Sequence, residues 1–210
     1  IKRFLKQRTE MLAGVSHDLR TPLTRMKLQI SLMKDEKAKS ELEVDVNEMT
    51  SMLDSYVSFV KTESPEPIET IIINELIGDI VKTVEKSGVE STIKEKNTIQ
   101  TSGRQIQLKR AFNNIIDNSQ RYAKKIEIIL YTNEKDCVIE FNDDGEGIPR
   151  DKYEDVFKPF FTLDPSRNKL KGESGLGLTI TRDIIRSHGG DVKLSESNLG
   201  GLQLKVLLPL

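Results

Sequence analysis

The sequence predicts a helical hairpin followed by an α+β two-layer sandwich, joined by a short connector. Three observations carry that prediction. Over the first sixty-odd residues, apolar side chains recur on a seven-residue repeat. Ser64-Pro65-Glu66-Pro67 then interrupts the pattern, because two prolines in four residues cannot continue a helix and favour extended backbone. Beyond it, strand-like alternation and helix-like spacing interleave. The expected domains are therefore 1–63, a connector at 64–67, and 68–210.

Composition narrows the possibilities. The 210 residues carry 32 Lys plus Arg against 33 Asp plus Glu, a formal net charge of −1. A nucleic-acid groove would need a basic excess, so no nucleic-acid partner is expected. With 36% hydrophobic and 31% charged residues and no Trp, the chain is too polar for one compact globule. One cysteine, Cys137, excludes a disulfide framework and a cysteine zinc site, and two histidines, His17 and His188, exclude a His-rich metal cluster. The longest apolar runs are a few residues, as at Ile71–Ile73, too short for a bilayer span. No signal-peptide pattern opens the chain. Ile1 is not an initiator Met, so the chain is expected to be a fragment, with any membrane attachment in a missing N-terminal portion.

In the hairpin, Leu5, Leu12, Leu19, Met26 and Met33 form one heptad row, and Ser16, Leu23 and Ile30 a second. After a polar break at Lys34–Ser40 the pattern resumes as Leu42, Val46, Met49, Leu53, Tyr56 and Val60. Two such helices have one apolar stripe each and enclose no core. Pairing two hairpins into a dimeric four-helix bundle solves this, and a homodimer is expected. The alternative is that the hairpin packs on the rest of its own chain.

After the connector, Ile68–Ile73 reads as a strand, and Asn74 as the N-cap of a helix carrying Leu76, Ile77, Ile80, Val81 and Val84. Short strands are expected near Ser91–Lys94 and Thr98–Thr101. Arg104–Ala123 reads as a helix with Leu108, Phe112, Ile115, Ile116 and Ser119 inward. Lys125–Tyr131 and Cys137–Asn142 alternate like paired strands around Asn133-Glu134-Lys135. A polar stretch, Lys158–Ser174, precedes a helix at Leu176–Ser187 that Gly189-Gly190 ends. Val192–Ser195 and Leu202–Leu208 close the chain as strands.

Four segments carry chemistry. In Ser16-His17-Asp18-Leu19-Arg20-Thr21-Pro22-Leu23, the heptad register puts His17 on the solvent side. A neutral imidazole is a good nucleophile near its ordinary pKa of about 6.5. Arg20 and Thr21, three and four residues on, share its face and suit a phosphoryl group or a water. Pro22 removes the hydrogen bond to the Asp18 carbonyl and is expected to kink the helix there. In Asn142-Asp143-Asp144-Gly145-Glu146-Gly147, a buried carboxylate at Asp143 suits the amino group of adenine, and Gly145 and Gly147 permit close backbone approach to a ligand. Gly175-Leu176-Gly177-Leu178 opens a helix whose backbone N–H groups suit phosphates. It is neither a P-loop nor a Rossmann fingerprint. Asn114 and Asn118, one turn apart, offer amide oxygens to a phosphate-bound Mg²⁺.

Taken in order, these segments resemble the motifs of sensor histidine kinases. His17-Asp18-Leu19-Arg20-Thr21-Pro22 is similar to the H box and Asn114-Ile115-Ile116-Asp117-Asn118 to the N box. Asp143-Asp144-Gly145-Glu146-Gly147 is similar to the G1 box, Phe157-Lys158-Pro159-Phe160 to the F box, and Gly175-Leu176-Gly177-Leu178 to the G2 box. The lead-in Met11–Ser16 and the pair Arg121-Tyr122 resemble the EnvZ osmosensor type. The resemblance implies a dimeric phosphotransfer hairpin followed by a Bergerat-type (GHKL) ATP-binding domain. It makes His17 the phosphoacceptor and Asp18 its proton-accepting neighbour. Thr21 would position water for dephosphorylating a response-regulator receiver domain. Asn118 would hold Mg²⁺ with Asn114 nearby, Asp143 would take the adenine amino group, Tyr122 would flank the base and Arg121 would reach the phosphates. Lys158–Ser174 would be an ATP lid, with Arg167 a γ-phosphate contact. The implied activity is ATP-dependent autophosphorylation and transfer to a regulator, in the cytoplasmic portion of an inner-membrane sensor. One departure is Glu173, where the G2 box usually has a second glycine. Beside a triphosphate, that carboxylate is repelled, and a non-catalytic dimeric scaffold is the rival it leaves open. A clamp related to the gyrase and mismatch-repair ATPases is the other. His188 is expected only to end its helix.

Overall fold

The computed structural model describes residues 18–60, 66–85, 89–163 and 175–210. The chain divides into two compact units, Ile1–Ser64 with Phe160–Leu176 and Pro65–Pro159 with Gly177–Leu210.

In the first unit, residues 18–31 form helix α1, unbroken at Pro22. The residues before the expected kink lie outside the described ones. Helix α2 spans Glu36–Val60. The break between them is therefore shorter than the predicted Lys34–Ser40. Asp35 is the reason: its Oδ1 accepts from the backbone N–H groups of Lys37 (3.0 Å) and Ala38 (3.1 Å). That N-cap starts the helix inside a stretch read as polar break. Leu23, Ile30 and Val46 form the buried seam, with Met33 and Leu53 packed against it. In the row that Met33 ends, Leu19 and Met26 are exposed, as are Leu42 and Met49 of α2.

The second unit contains β1 (Glu69–Ile72), α3 (Ile73–Glu85), β2 (Glu90–Glu95), β3 (Gln100–Gly103), α4 (Gln105–Tyr122), β4 (Lys125–Thr132) and β5 (Asp136–Asp143). After two short 3-10 turns come α5 (Gly177–Ser187), β6 (Asp191–Glu196) and β7 (Leu202–Pro209). Five strands form one sheet in the order β2-β4-β5-β7-β6, parallel only between β2 and β4, while β1 and β3 pair separately. Alternation sorts the side chains. Ile128, Leu130, Ile139, Phe141, Leu204 and Val206 form the buried face toward the helices, where Phe112 of α4 meets Phe141 at a centroid distance of 6.1 Å.

The opposite face of the central strands is polar and largely paired, although the buried Glu127 Oε2 has no hydrogen-bond partner among the described residues. Glu140 accepts from the Tyr131 hydroxyl at 2.8 Å and pairs with Lys205 at 2.8 Å. Gln203 donates to Asn142 Oδ1 at 2.9 Å. A two-layer α+β sandwich results, as expected.

One cap differs from expectation. Asn74 lies inside the first turn of α3 and does not cap it. Its Oδ1 accepts from the Ile99 N–H at 2.7 Å and its Nδ2 donates to the Asn97 carbonyl at 3.2 Å. The side chain ties the turn before β3 to the start of α3. A helix-start asparagine looks the same in sequence whether its partner is local or 25 residues away.

Candidate active site

Helix α4 carries much of the site. Its buried residues are Leu108, Ala111, Phe112, Ile115, Ile116 and Ser119, which fixes its rotation. Asn114 and Asn118 are half-buried in consequence, and Arg121 and Tyr122 emerge exposed at its C-terminal end. Asn114 Nδ2 donates to the Gly177 carbonyl at 3.3 Å, joining the N-box helix to the first residue of α5. No hydrogen bond among the described residues occupies the Asn118 amide.

Asp143 ends β5, buried. Its Oδ1 accepts from the backbone N–H groups of Gly145 (3.0 Å) and Leu202 (2.9 Å), and its Oδ2 from the Ser119 hydroxyl at 3.4 Å. Burial pushes its carboxyl above the ordinary carboxylate range, against the pull of those three hydrogen bonds. The result is a preorganised acceptor in low-dielectric surroundings.

The two G1 glycines are required by the fold itself. A Cβ at Gly145 would press on the Tyr122 carbonyl at 3.0 Å, and Gly147 has a left-handed φ of 72°. Two residues that sequence reading missed belong to this arrangement. Ser119 supports Asp143 from α4. Gly201 passes so close that a Cβ there would strike Asp143 Oδ1 and the Gly145 nitrogen, while its N–H donates to the Asp143 carbonyl at 3.1 Å. The only hint was the Gly200-Gly201 pair before the last strand, an ordinary turn signal.

Around the F and G2 boxes the backbone is similarly constrained. Phe160 and Gly175 both have left-handed φ, 63° and 62°, and the Phe160 N–H donates to the Gly175 carbonyl at 3.0 Å. A Cβ at Gly175 would lie 2.8 Å from the Phe160 carbonyl carbon. Leu176 is buried, and Gly177 begins α5. Phe157 is gripped from α5: its carbonyl accepts from the Thr179 hydroxyl at 3.0 Å, and Arg182 stacks 4.2 Å from its ring centroid.

His188 is more than a helix stop. Its Nε2 accepts from the Arg104 N–H at 3.0 Å, and its Nδ1 lies 2.7 Å from the Ile184 carbonyl, which fixes the Nδ1–H tautomer. The ring thereby links the end of α5 to the start of α4.

In the first unit, Asp18, Arg20 and Thr21 are exposed on α1. Arg20, Thr21, Thr24, Arg25 and Leu28 line a shallow surface hollow on that helix. His17, Arg167 and Glu173 lie outside the described residues. Among the described residues, no cluster of three or more His, Cys, Asp or Glu side chains could hold a metal.

Residues 7–64 match the family described as His Kinase A (phospho-acceptor) domain, and residues 103–210 match histidine kinase-, DNA gyrase B- and HSP90-like ATPase. The chain belongs to the sensor histidine kinases. It is 32% identical over its whole length to the sensor histidine kinase GtrS of Pseudomonas aeruginosa, covering 43% of that protein. It is 30% identical to the sensor histidine kinase CpxA of Escherichia coli, covering 49%. The chain thus spans less than half the length of these curated relatives. Among solved structures, the mycobacterial sensor histidine kinase MprB aligns with 68% of the chain and 97% of its own at 25% identity, with a TM-score of 0.61. Full-length ShkA, solved in complex with AMPPNP, aligns with 96% of the chain and 46% of its own at 16% identity and a TM-score of 0.73, a likeness of fold. Both parts of this kinase chain therefore have the architecture that the ordered motifs implied.

Proposed function

We propose that this histidine kinase chain binds ATP in its second unit, autophosphorylates His17, and passes the phosphoryl group to an aspartate of a response-regulator receiver domain. The observation that carries the proposal is Asp143, a buried carboxylate held as an acceptor by two backbone N–H groups and Ser119. Such an acceptor recognises the exocyclic amino group of adenine and repels the oxygen that guanine has there. Tyr122 flanks the base, Arg121 reaches the phosphates, and Gly145 and Gly147 shape the wall. The start of α5, with Gly175, Leu176 and Gly177, faces the phosphates with backbone N–H groups, and Arg167 contacts the γ-phosphate.

Mg²⁺, when bound, neutralises charge on the β- and γ-phosphates. The half-buried Asn118 amide, without a partner among the described residues, fits an ion held mostly by phosphate oxygens, with Asn114 beside it.

In the transfer step an imidazole nitrogen of His17 attacks the γ-phosphorus. The bond from phosphorus to the β,γ-bridging oxygen breaks, ADP leaves, and Asp18 takes the ring proton. Arg20 steadies the phosphoryl group on the same helix face. Thr21 positions water for the reverse duty, dephosphorylating the regulator. The chain works as a homodimer, since one seam row of the hairpin stays exposed in a single copy. It is the cytoplasmic portion of an inner-membrane sensor; no helix among the described residues is long and apolar enough to cross a membrane.

Incubation with radiolabelled ATP and Mg²⁺ tests this. The expected product is an acid-labile, base-stable phosphoprotein that His17→Gln does not form. Label that persists in His17→Gln overturns the assignment.

A further inference from the structure

Helix α4 begins without a cap of its own. Arg104 occupies the N-cap position with extended backbone and makes no side-chain capping hydrogen bond. Arginine cannot accept one. The missing acceptor comes from the connector. Glu66 Oε1 accepts from the Ile106 N–H at 2.6 Å and its Oε2 from the Gln107 N–H at 3.3 Å. Those are the second and third residues of the helix, the donors that an N-cap side chain normally satisfies. A carboxylate there also gains from the positive end of the helix dipole.

We infer that Glu66 is a positioning residue for phosphoryl transfer: it fastens the interdomain connector to the start of the nucleotide-binding helix. This rests on the kinase reading above. A cap supplied from inside the helix would serve α4 equally well, so its origin in the connector is the informative feature. With Glu66 attached, the chain is held to the sandwich unit from residue 66 onward. Without it, residues 66–68 are released before β1 begins at Glu69, adding about 10 Å of reach at full extension. In-line attack tolerates little misplacement, and a displacement of about 1 Å costs on the order of 10²-fold. A longer tether also lowers the effective concentration of one domain at the other.

Fraying at the first turn of α4 does not reach Asn114 and Asn118, two turns and more along the helix. Loss of Glu66 is therefore expected to slow transfer while leaving nucleotide binding intact. A structural cap alone predicts no such split.

The test compares wild type, Glu66→Ala, and Glu66→Ala with Arg104→Ser, which restores a local cap. Each is measured by thermal melting, by calorimetry with a non-hydrolysable ATP analogue, and by the rate of His17 labelling at saturating ATP. Glu66→Ala is expected to bind the analogue within twofold of wild type and to label three- to tenfold more slowly. Adding Arg104→Ser is expected to recover the melting temperature but not the labelling rate. A wild-type labelling rate in Glu66→Ala, or its recovery with Arg104→Ser, overturns the inference. A wild-type chain that binds the analogue yet never labels His17 overturns the kinase reading instead.

Discussion

The hairpin and the sandwich unit use apolar residues in opposite ways. In the sandwich unit the large side chains close on one another: Ile73, Ile77, Leu108 and Leu130 are fully buried, and the chain needs no help to make its core. In the hairpin, Leu23, Ile30 and Val46 are buried, whereas Leu19 is 48%, Met26 41% and Met49 51% exposed on the same heptad pattern. One heptad row closes the helix pair; of the other, Met33 packs against it while Leu19 and Met26 are left exposed. The sandwich unit closes its core within one chain; the hairpin leaves apolar side chains exposed, which is what the proposed dimeric bundle would cover. That division explains a composition too polar for a single globule.

The largest expected effect breaks the sandwich unit alone. Gly201→Ala puts a Cβ into Asp143 Oδ1 and the Gly145 nitrogen, and neither can withdraw without losing its hydrogen bond. Overpacking of this kind costs about 1–3 kcal/mol, and more against backbone. Analogue binding is expected to disappear, with the hairpin's helical circular dichroism retained.

A change at the exposed seam should act on the other side of the comparison. Met26→Lys places a charge in the row assigned to the partner copy. Sedimentation equilibrium is expected to show at least a hundredfold weaker dimer. Nucleotide affinity per chain should stay within twofold.

Asp143→Asn sharpens the account of the binding unit. Asparagine retains an oxygen for the Gly145 and Leu202 N–H groups, but its amide donor opposes the adenine amino group. Analogue affinity should fall at least tenfold in calorimetry, with stability equal or greater. Because burial raises the folded pKa of Asp143, the folded state resists ionisation. Wild type should therefore lose stability relative to Asp143→Asn as pH rises from the ordinary carboxylate value through the raised one.

Asp144 makes the smallest and opposite contribution. Its Oδ1 accepts from the backbone N–H groups of Lys124 (2.7 Å) and Lys125 (2.9 Å), and hydrogen bonds led by that of Lys125 hold its carboxyl below the ordinary range. Its stabilisation is present above the ordinary carboxylate pKa and lost as pH falls through the lowered one. Asp144→Ala should melt slightly earlier at pH 7, with the difference vanishing in acid.

Much of this was legible in the sequence because it is local. Alternation located β4, β5 and β7, and helical spacing picked the inward residues of α4. The order of the boxes singled out Asp143, Asn114 and Asn118 as candidates for the nucleotide. What was not legible depends on partners distant in the chain. Asn74 resembles an N-cap but bonds residues 97 and 99. Glu66 sat in a stretch read only for its prolines, because nothing local shows that α4 lacks a cap it can borrow. His188 resembles a helix terminator until the Arg104 N–H arrives from β3. Gly201 is one of thirteen glycines, and its necessity lies in the carboxylate 58 positions earlier.

The central claim, a self-sufficient nucleotide unit joined to a half-built hairpin, is most directly tested by one titration of the wild-type chain. Calorimetry with the ATP analogue is run across the concentrations over which sedimentation follows the mass. The account predicts that the mass doubles while affinity per chain stays constant. Affinity that appears only with the dimer, or a mass that never doubles, would contradict it.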